Sequence, residues 1–566
     1  MENTTSADQI KNPHEVQFRI LKEVRAEWIQ FALLILFDLI DSFLTVCYSV
    51  GLKNLIDVAS AGSVSRLTRP ILYFCILILS ESASYSIIRI IQDSLELKTR
   101  IRMRRDLLNV IETRTYISVS AIHSGIMMDR LFNDVEIVSS AVVEIIPNTF
   151  SLSARLLFAF IVIFHYDPII PLVLIGAGGI LIIAARCLRR PIKTAAHNMR
   201  SRGADTFSFF EEMFENLLIV KGFHAEEKVN QRAQILEKKH FKSWKTWFNL
   251  QLLADTGSNL FFQVGYLSAI ILSAYGIQRG SMTFGTAAAI MLLVSQIQGP
   301  IAGLSGVLPR YYSGLVSMER IMDIEALPEE KHFPICDREG IYREMQFIEG
   351  SHISFTYDQK PVLDDISFEI KKGSFTLISG ESGVGKSSLI KLLLGVYDLK
   401  SGKLVIKTQK DEIPVNSGTR KLFAYVPQGN HLMSGTIRDS LLFLNAEKTD
   451  QEIWKMLEIS CAEEFVRTLP EGLDTPLGES GAGLSDGQVQ RLATARALLS
   501  EAPILLLDEV TSDLDDETGH HLLANLKNLQ TKTIILVSHK EDSVSFCDSE
   551  FHIENGKLSE RLHNKC

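Results

Sequence analysis

Six runs of mostly apolar residues occupy the first 301 positions of this 566-residue chain, at about 28–50, 71–90, 141–164, 169–185, 250–277 and 284–301. Roughly 20 apolar residues cross a bilayer as a helix, and the runs reach or approach that length. They predict an α-helical, six-span membrane domain. Only His165, Tyr166, Asp167 and Pro168 separate the third and fourth runs, which predicts a tight hairpin. A short loop around Arg279, Gly280 and Ser281 joins the fifth and sixth. Lys98, Arg100, Arg102, Arg104 and Arg105 follow the second run, and Arg186, Arg189, Arg190 and Lys193 follow the fourth. An excess of Lys and Arg marks the cytoplasmic side. Both segments, and the N-terminus with Arg19, Lys22 and Arg25, are therefore expected inside.

The two cytoplasmic excursions are charged, yet apolar residues recur in them at helical spacing: Leu107, Leu108, Val110 and Ile111, then Ile219, Val220 and Phe223. Spans continuing as helices into the cytoplasm explain both facts, with tips expected around 120–128 and 203–213. Residues 1–25 lack the short apolar core and small-residue cleavage site of a signal peptide. Seven cysteines stand apart, at 47, 75, 187, 336, 461, 547 and 566, with no C-x-x-C pair, so neither a zinc site nor a disulfide framework is indicated. The net charge of −9 is mixed in sign along the chain, which argues against nucleic acid as a partner.

The expected domain plan is a cytoplasmic segment over 1–27, the membrane domain over 28–315, a charged, proline-containing linker over 316–346 and a soluble α/β domain over 347–566. Strands are expected at 368–370, 374–379, 423–426, 504–507 and 533–537. Between the second of these and a helical stretch lie Gly380, Glu381, Ser382, Gly383, Val384, Gly385, Lys386 and Ser387, with Ser388 next. This matches G-x-x-x-x-G-K-[ST], a phosphate-binding loop of a P-loop NTPase. Its glycines let backbone N–H groups face an anion at a helix N-terminus. Lys386 would reach the β- and γ-phosphates of a nucleotide, and Ser387 would hold Mg²⁺.

Other residues of this domain suit the same chemistry. The apolar strand at 504–507 ends in Asp508 and Glu509. An acidic pair there suits Mg²⁺ coordination by Asp508 and polarisation of an attacking water by Glu509. The Gln428 amide is placed to reach both metal and water. Tyr357 offers a ring to stack on adenine, or a half-buried edge residue. His539 follows the strand at 533–537, where a histidine by itself is more often structural. Leu484, Ser485, Asp486, Gly487 and Gln488 open a further helix, so Ser485 and the Gly487 backbone form a second anion site. One chain holding one nucleotide needs only one such site; a second implies a second copy.

Together these motifs resemble the ATP-binding-cassette exporters in half-transporter form, a membrane domain followed by an ATPase. Residues 484–488 resemble the family signature Leu-Ser-Gly-Gly-Gln, and Ser512, Asp513, Leu514 and Asp515 resemble the Ser-Ala-Leu-Asp loop that touches the partner subunit. Gly478 and Glu479 resemble the stretch that senses the membrane domain. In the membrane half, residues 125–134 are similar to the first-loop pattern Gly-x-x-x-x-Arg-x-x-x-Asp, residues 219–223 with Glu226 to the second-loop Val-Lys-x-Phe pattern, and residues 317–321 to the end of the sixth span. Asp486 departs from the signature's first glycine, Val489 from a basic residue and His431 from an apolar one.

The resemblance implies a dimer with a second copy or a homologous half-transporter. Two ATP molecules with Mg²⁺ would be clamped between phosphate loops and opposite signatures, contacted also by Gln488 and Asp515. Glu509 would act as base, Gln428 would assist, and His539 would hold the γ-phosphate. It implies export of an amphipathic peptide, lipid or drug across a bacterial plasma membrane by alternating access; import by the same fold, as in siderophore transporters, and an ATP-gated regulator or channel are the alternatives. Asp38 and Asp41 share a face of the first span, and Glu81 lies in the second. Either they line a pathway that favours cationic substrates, or they pair with Arg89 or Arg155 to lock helices.

Overall fold

A computed structural model describes residues 13–62, 66–357, 360–381, 383–429, 432–445, 447–478 and 483–561. It forms two compact units: Met1–Val110 with Ser124–Ala326, and Ile111–His123 with Leu327–Cys566.

The first unit is helical. After α1 (Pro13–Ala26) come α2 (Trp28–Ser60), α3 (Thr68–Glu112), α5 (Ser124–Asp129), a π-turn (Arg130–Asp134), α6 (Val135–Tyr166), α7 (Ile169–Glu215), α8 (Leu217–Gly222), α9 (Glu226–Gln278) and α10 (Phe284–Glu325); α4 (Tyr116–Ser120) belongs to the second unit. Lipid offers no partners to backbone N–H and C=O groups, so apolar runs of this length form helices. Among the described residues α2, α3, α9 and the stretch Ser124–Tyr166 are long and apolar enough to cross a membrane. The 47-residue α7 and 42-residue α10 enclose the fourth and sixth runs. The spans do continue as helices through charged sequence: α3 runs 45 residues, past Arg105, and α9 runs 53.

The polar residues of α2 bear on one of the open alternatives. Asp38, Ser42, Thr45 and Ser49 are buried on one face. Arg155 on α6 donates to Asp41 at 3.0 Å, Thr45 Oγ1 to Glu81 at 3.3 Å, and Ser49 Oγ to Gln296 on α10 at 3.3 Å. Arg89 instead pairs with Asp93 in its own helix, at 3.2 Å. Asp41 is thus engaged in locking helices, through Arg155. Nearer the ends of α6 and α10, the fully buried Asp134 accepts from Arg130 at 2.8 Å and from Ser317 at 2.7 Å, which ties the pattern at 125–134 to the one at 317–321.

Two expectations are corrected. The second excursion turns at α8, over 217–222, and not at 203–213, which lies within α7. A Gly203 Cβ would meet His240 of α9 at an ordinary contact distance of 3.4 Å, and the glycine does not end the helix. The turn exposes apolar side chains: Phe214, Leu217, Leu218, Ile219 and Phe223, with Leu218 85% exposed. Residues 316–325, read as the start of a linker, are the last turns of α10. Met318 and Ile321 are buried there, so packing holds the helix where composition suggested a break.

In the second unit, α11 (Arg338–Glu344) leads into an antiparallel sheet, β2-β1-β4-β5, made of β1 (Met345–Tyr357), β2 (Lys360–Lys371), β4 (Ser401–Thr408) and β5 (Glu412–Pro414). The central sheet has the order β12-β11-β3-β10-β9-β6: β3 (Phe375–Gly380), β6 (Phe423–Val426), β9 (Ile504–Asp508), β10 (Thr533–Val537), β11 (Ser549–Glu554) and β12 (Lys557–Arg561). All its pairs are parallel except β11–β12; the short β7 (Gly435–Thr436) and β8 (Pro476–Leu477) pair apart from it, antiparallel. Every residue of β9 and β10 is buried, as a parallel strand covered on both faces requires. Leu505 and Leu507 join one core with α13 (Ile437–Leu442), α14 (Asp450–Ile459), α15 (Glu463–Thr468), α16 (Asp486–Leu499) and α17 (Asp516–Lys527). Ile504 and Leu506 face the other core, with β1, β2 and α12 (Lys386–Leu393). The α4 segment is tied to this unit by Thr115 N–H to Pro328 O (3.0 Å) and Glu330 N–H to Thr113 O (2.9 Å).

Candidate nucleotide site

The carboxyl ends of four neighbouring strands, β3, β10, β9 and β6, create the site. From β3 the chain turns through Gly380, Gly383 and Gly385, with φ of 144°, 84° and 110°, a region unfavourable to side chains. A Cβ on Gly380 would collide with the Ile553 carbonyl, whereas one on Gly383 would meet nothing within 4 Å. The first glycine is thus a packing requirement, and the second lies open to a ligand. Gly385 caps α12, which projects its N-terminus into the loop. Lys386 is 6% exposed and donates to the Gly380 and Glu381 carbonyls at 2.6 and 2.8 Å. An ammonium has three donors, so this geometry holds Lys386 across the cradle with a donor to spare. Ser382 lies outside the described residues.

At the end of β9, Asp508 is buried and its Oδ1 has no hydrogen-bond partner among the described residues. Burial pushes its carboxyl up from the ordinary range, opposed by the Ser387 hydroxyl beside it. A buried carboxylate oxygen without a partner, next to the loop serine, fits a hard divalent cation with oxygen ligands. Glu509, next in sequence, adopts φ of 54°, rare for a side chain of its size, while its N–H is held by Val537 O at 2.9 Å. The turn brings its carboxylate to Gln428 Nε2 at 2.6 Å and to His539 Nδ1 at 3.5 Å. Gln428 follows β6, Glu509 follows β9 and His539 follows β10, so sheet order alone makes them neighbours. The structure brings together all three residues expected to be catalytic.

Tyr357 ends β1, a strand that the sequence reading did not expect. Its hydroxyl shares a 2.5 Å hydrogen bond with that of Tyr397, and the two rings stand edge to face.

The signature stretch is a capping box at the start of α16. Gln488 N–H donates to Ser485 Oγ at 3.3 Å, and Ser485 N–H to Gln488 Oε1 at 2.9 Å. Gly487 is buried, and a Cβ there would lie 2.5 Å from the Asp513 carbonyl. Gly487→Ala is therefore expected to destabilise the ATPase domain by about 1–3 kcal/mol, the range for overpacking. A thermal unfolding midpoint no lower than that of the parent would count against this packing. Asp515 caps α17 by accepting from Thr518 N–H at 2.9 Å, so its carboxylate is engaged within its own chain. Glu479 and His431 fall outside the described residues.

Sequence reading passed over Gln490. It is 3% exposed, and its Nε2 donates to Asp513 Oδ2 at 2.6 Å, Ser512 Oγ at 3.0 Å and Glu509 O at 3.5 Å. The available signal was an uncharged polar residue on the side of α16 otherwise filled by Val489, Leu492, Ala493 and Ala497.

Comparison with known proteins agrees with this geometry. Residues 363–512 match the ABC transporter family model, and residues 31–301 the ABC transporter transmembrane region. The chain is 26% identical over 471 residues to the ATP-dependent lipid A-core flippase of Photobacterium profundum, covering 82% of this chain and 80% of that protein. It is 36% identical over 273 residues to a probable ABC transporter ATP-binding/permease protein of Haemophilus influenzae, about half of each (48% and 49%). The solved structure of a bacterial Atm1-family ABC exporter with ATP bound superposes with a TM-score of 0.77 at 21% identity, covering 95% of both chains.

Proposed function

Since this chain belongs to the ATP-binding-cassette exporters, as a half-transporter, we propose that two copies pair to move an amphipathic substrate, most directly a lipid, across the bilayer by alternating access. ATP hydrolysis coupled to transport is its activity, and it is an integral membrane protein. The observation that carries the mechanism is the convergence of Gln428, Glu509 and His539 beside the phosphate loop.

In this reading the loop N–H groups and Lys386 bind the phosphates of ATP, and Tyr357 supports the adenine. Ser387, Asp508 and Gln428 would hold Mg²⁺, which neutralises developing charge on the phosphate oxygens. Glu509 accepts a proton from the attacking water, oriented by Gln428, while His539 steadies the γ-phosphate. Ser485 and the Gly487 N–H close over the nucleotide of the partner copy. The exposed apolar turn at α8 suits docking onto that copy, because apolar clusters at a loop tip rarely stay bare. Opening and closing of the ATPase pair, relayed by the excursion tips, does transport work only if the membrane domain has two conformations that ATP distinguishes. The ATPase domain and the N-terminus face the cytoplasm.

The lipid substrate is suggested by the relatives named flippases. It is tested with the purified chain in proteoliposomes, following ATP-dependent movement of labelled phospholipid and lipopolysaccharide between leaflets beside a panel of cationic peptides. Lipid movement away from the ATP-exposed leaflet, with stimulated hydrolysis, is expected. Hydrolysis without lipid movement would sink the lipid reading, and no hydrolysis by the chain alone would sink the homodimer.

A further inference from the structure

We infer that Gln490 couples the two ATP sites of the dimer, by joining the helix that reads the partner's nucleotide to the turn that carries this chain's own Glu509. The inference rests on the dimer reading above, and it concerns a positioning residue.

Gly487 and Gln490 are three apart on α16 and share a face. That face is pressed against the turn after β9. Gly487 packs on the Asp513 carbonyl, and the Gln490 amide reaches Glu509 O, Ser512 Oγ and Asp513 Oδ2. Ser512 Oγ also donates to Glu509 O at 2.9 Å, closing a small network around one carbonyl. That carbonyl belongs to a residue held at φ of 54°, a conformation that persists only where its surroundings enforce it. Gln490 is part of that enforcement. Its Oε1 is buried without a hydrogen-bond partner among the described residues, so the side chain is kept for its donor alone.

The shortest of these bonds depends on Asp513. Asp513 stands where the resembling partner-facing loop has alanine, which could not accept it. A shift of α16 as Ser485 and Gly487 engage the partner's nucleotide moves the Gln490 amide. Asp513 and the Glu509 carbonyl follow, and with them the aim of the Glu509 carboxylate at Gln428 and His539. Displacements well under an ångström change the reactivity of a positioned base. Each site thus senses occupancy of the other, and thermodynamic linkage makes the binding effect reciprocal.

The test uses the full-length protein in nanodiscs. Hydrolysis is followed against ATP concentration, and nucleotide binding is titrated separately on a Glu509→Gln background. The parent is expected to show a Hill coefficient approaching about 2, the limit for two sites. Gln490→Met keeps the volume and removes the donor. It should lower kcat about tenfold and bring both Hill coefficients to about 1. Asp513→Ala, at an exposed position, removes the shortest bond from the other side and should do the same, with no further loss when the two are combined. A kcat reduced with cooperativity intact in both variants, or a non-cooperative parent, would overturn the inference. Absent hydrolysis from a parent that is monomeric by mass measurement would instead indict the homodimer reading, and the inference with it.

Discussion

Replacing Glu509 by Gln is expected to lower steady-state ATP hydrolysis about a thousandfold, within the range for removing a positioned general base. The change is nearly isosteric, so β9 and its left-handed exit should survive. Chemistry at the carboxylate does not. An amide cannot take the proton from water, and it would present N–H groups to the Gln428 donor that now sits 2.6 Å from Glu509. The phosphate loop is untouched, since Lys386 is held by the Gly380 and Glu381 carbonyls. ATP binding should therefore persist, and ATP should accumulate unhydrolysed on the protein. Single-turnover hydrolysis and retention of labelled nucleotide measure the two halves of this expectation. More than a tenth of parental activity in the variant would remove Glu509 from the role of base.

Loss of Arg155 should be the most damaging change in the membrane domain. Its guanidinium is the 3.0 Å partner of Asp41, in a cluster that also holds Asp38 and Glu81. Arg155→Ala leaves Asp41 without its cation, beside the carboxylates of Asp38 and Glu81. Breaking a fully buried pair from one side costs about 3–5 kcal/mol, and this pair is only half-buried, so the expected cost is about 1–3 kcal/mol. The variant should give little protein that survives detergent extraction as a monodisperse species. Removing both charges, as Asp41→Asn with Arg155→Met, should recover most of that yield, and the non-additivity measures the pair. Equal yield and unfolding midpoint in Arg155→Ala and parent would show that the pair contributes nothing.

What could be read in the sequence was what local pattern determines. The phosphate loop has fixed spacing, and β6 and β10 fall at the residues that their apolar runs marked out. Gln428, Glu509 and His539 were each named from position after a strand, yet nothing in the spacing said that they would meet. That follows from the order β10-β9-β6, a property of strand pairing far apart in the chain. The misplaced second tip has a different cause. Charged sequence around 203–213 gave no sign of where the helix ends, and α7 continues through it to Glu215, packed beside α9 with His240 next to Gly203. Gln490 stayed hidden because its partners are some twenty residues away across a turn. Among the polar residues of α2, charge at mid-span was legible, but the choice of Arg155 over Arg89 needed helix rotation and register.

The exposed turn at α8 has a consequence for biosynthesis under the dimer reading proposed above. In that reading a newly inserted single copy would show Phe214, Leu218 and Phe223 to the cytosol until its partner covers them, a surface that chaperones and neighbouring nascent chains recognise. Assembly would then be a race between partner capture and quality control, and the steady-state amount of the protein should rise more steeply than its rate of synthesis. Two copies made from one message on one polysome would meet soonest.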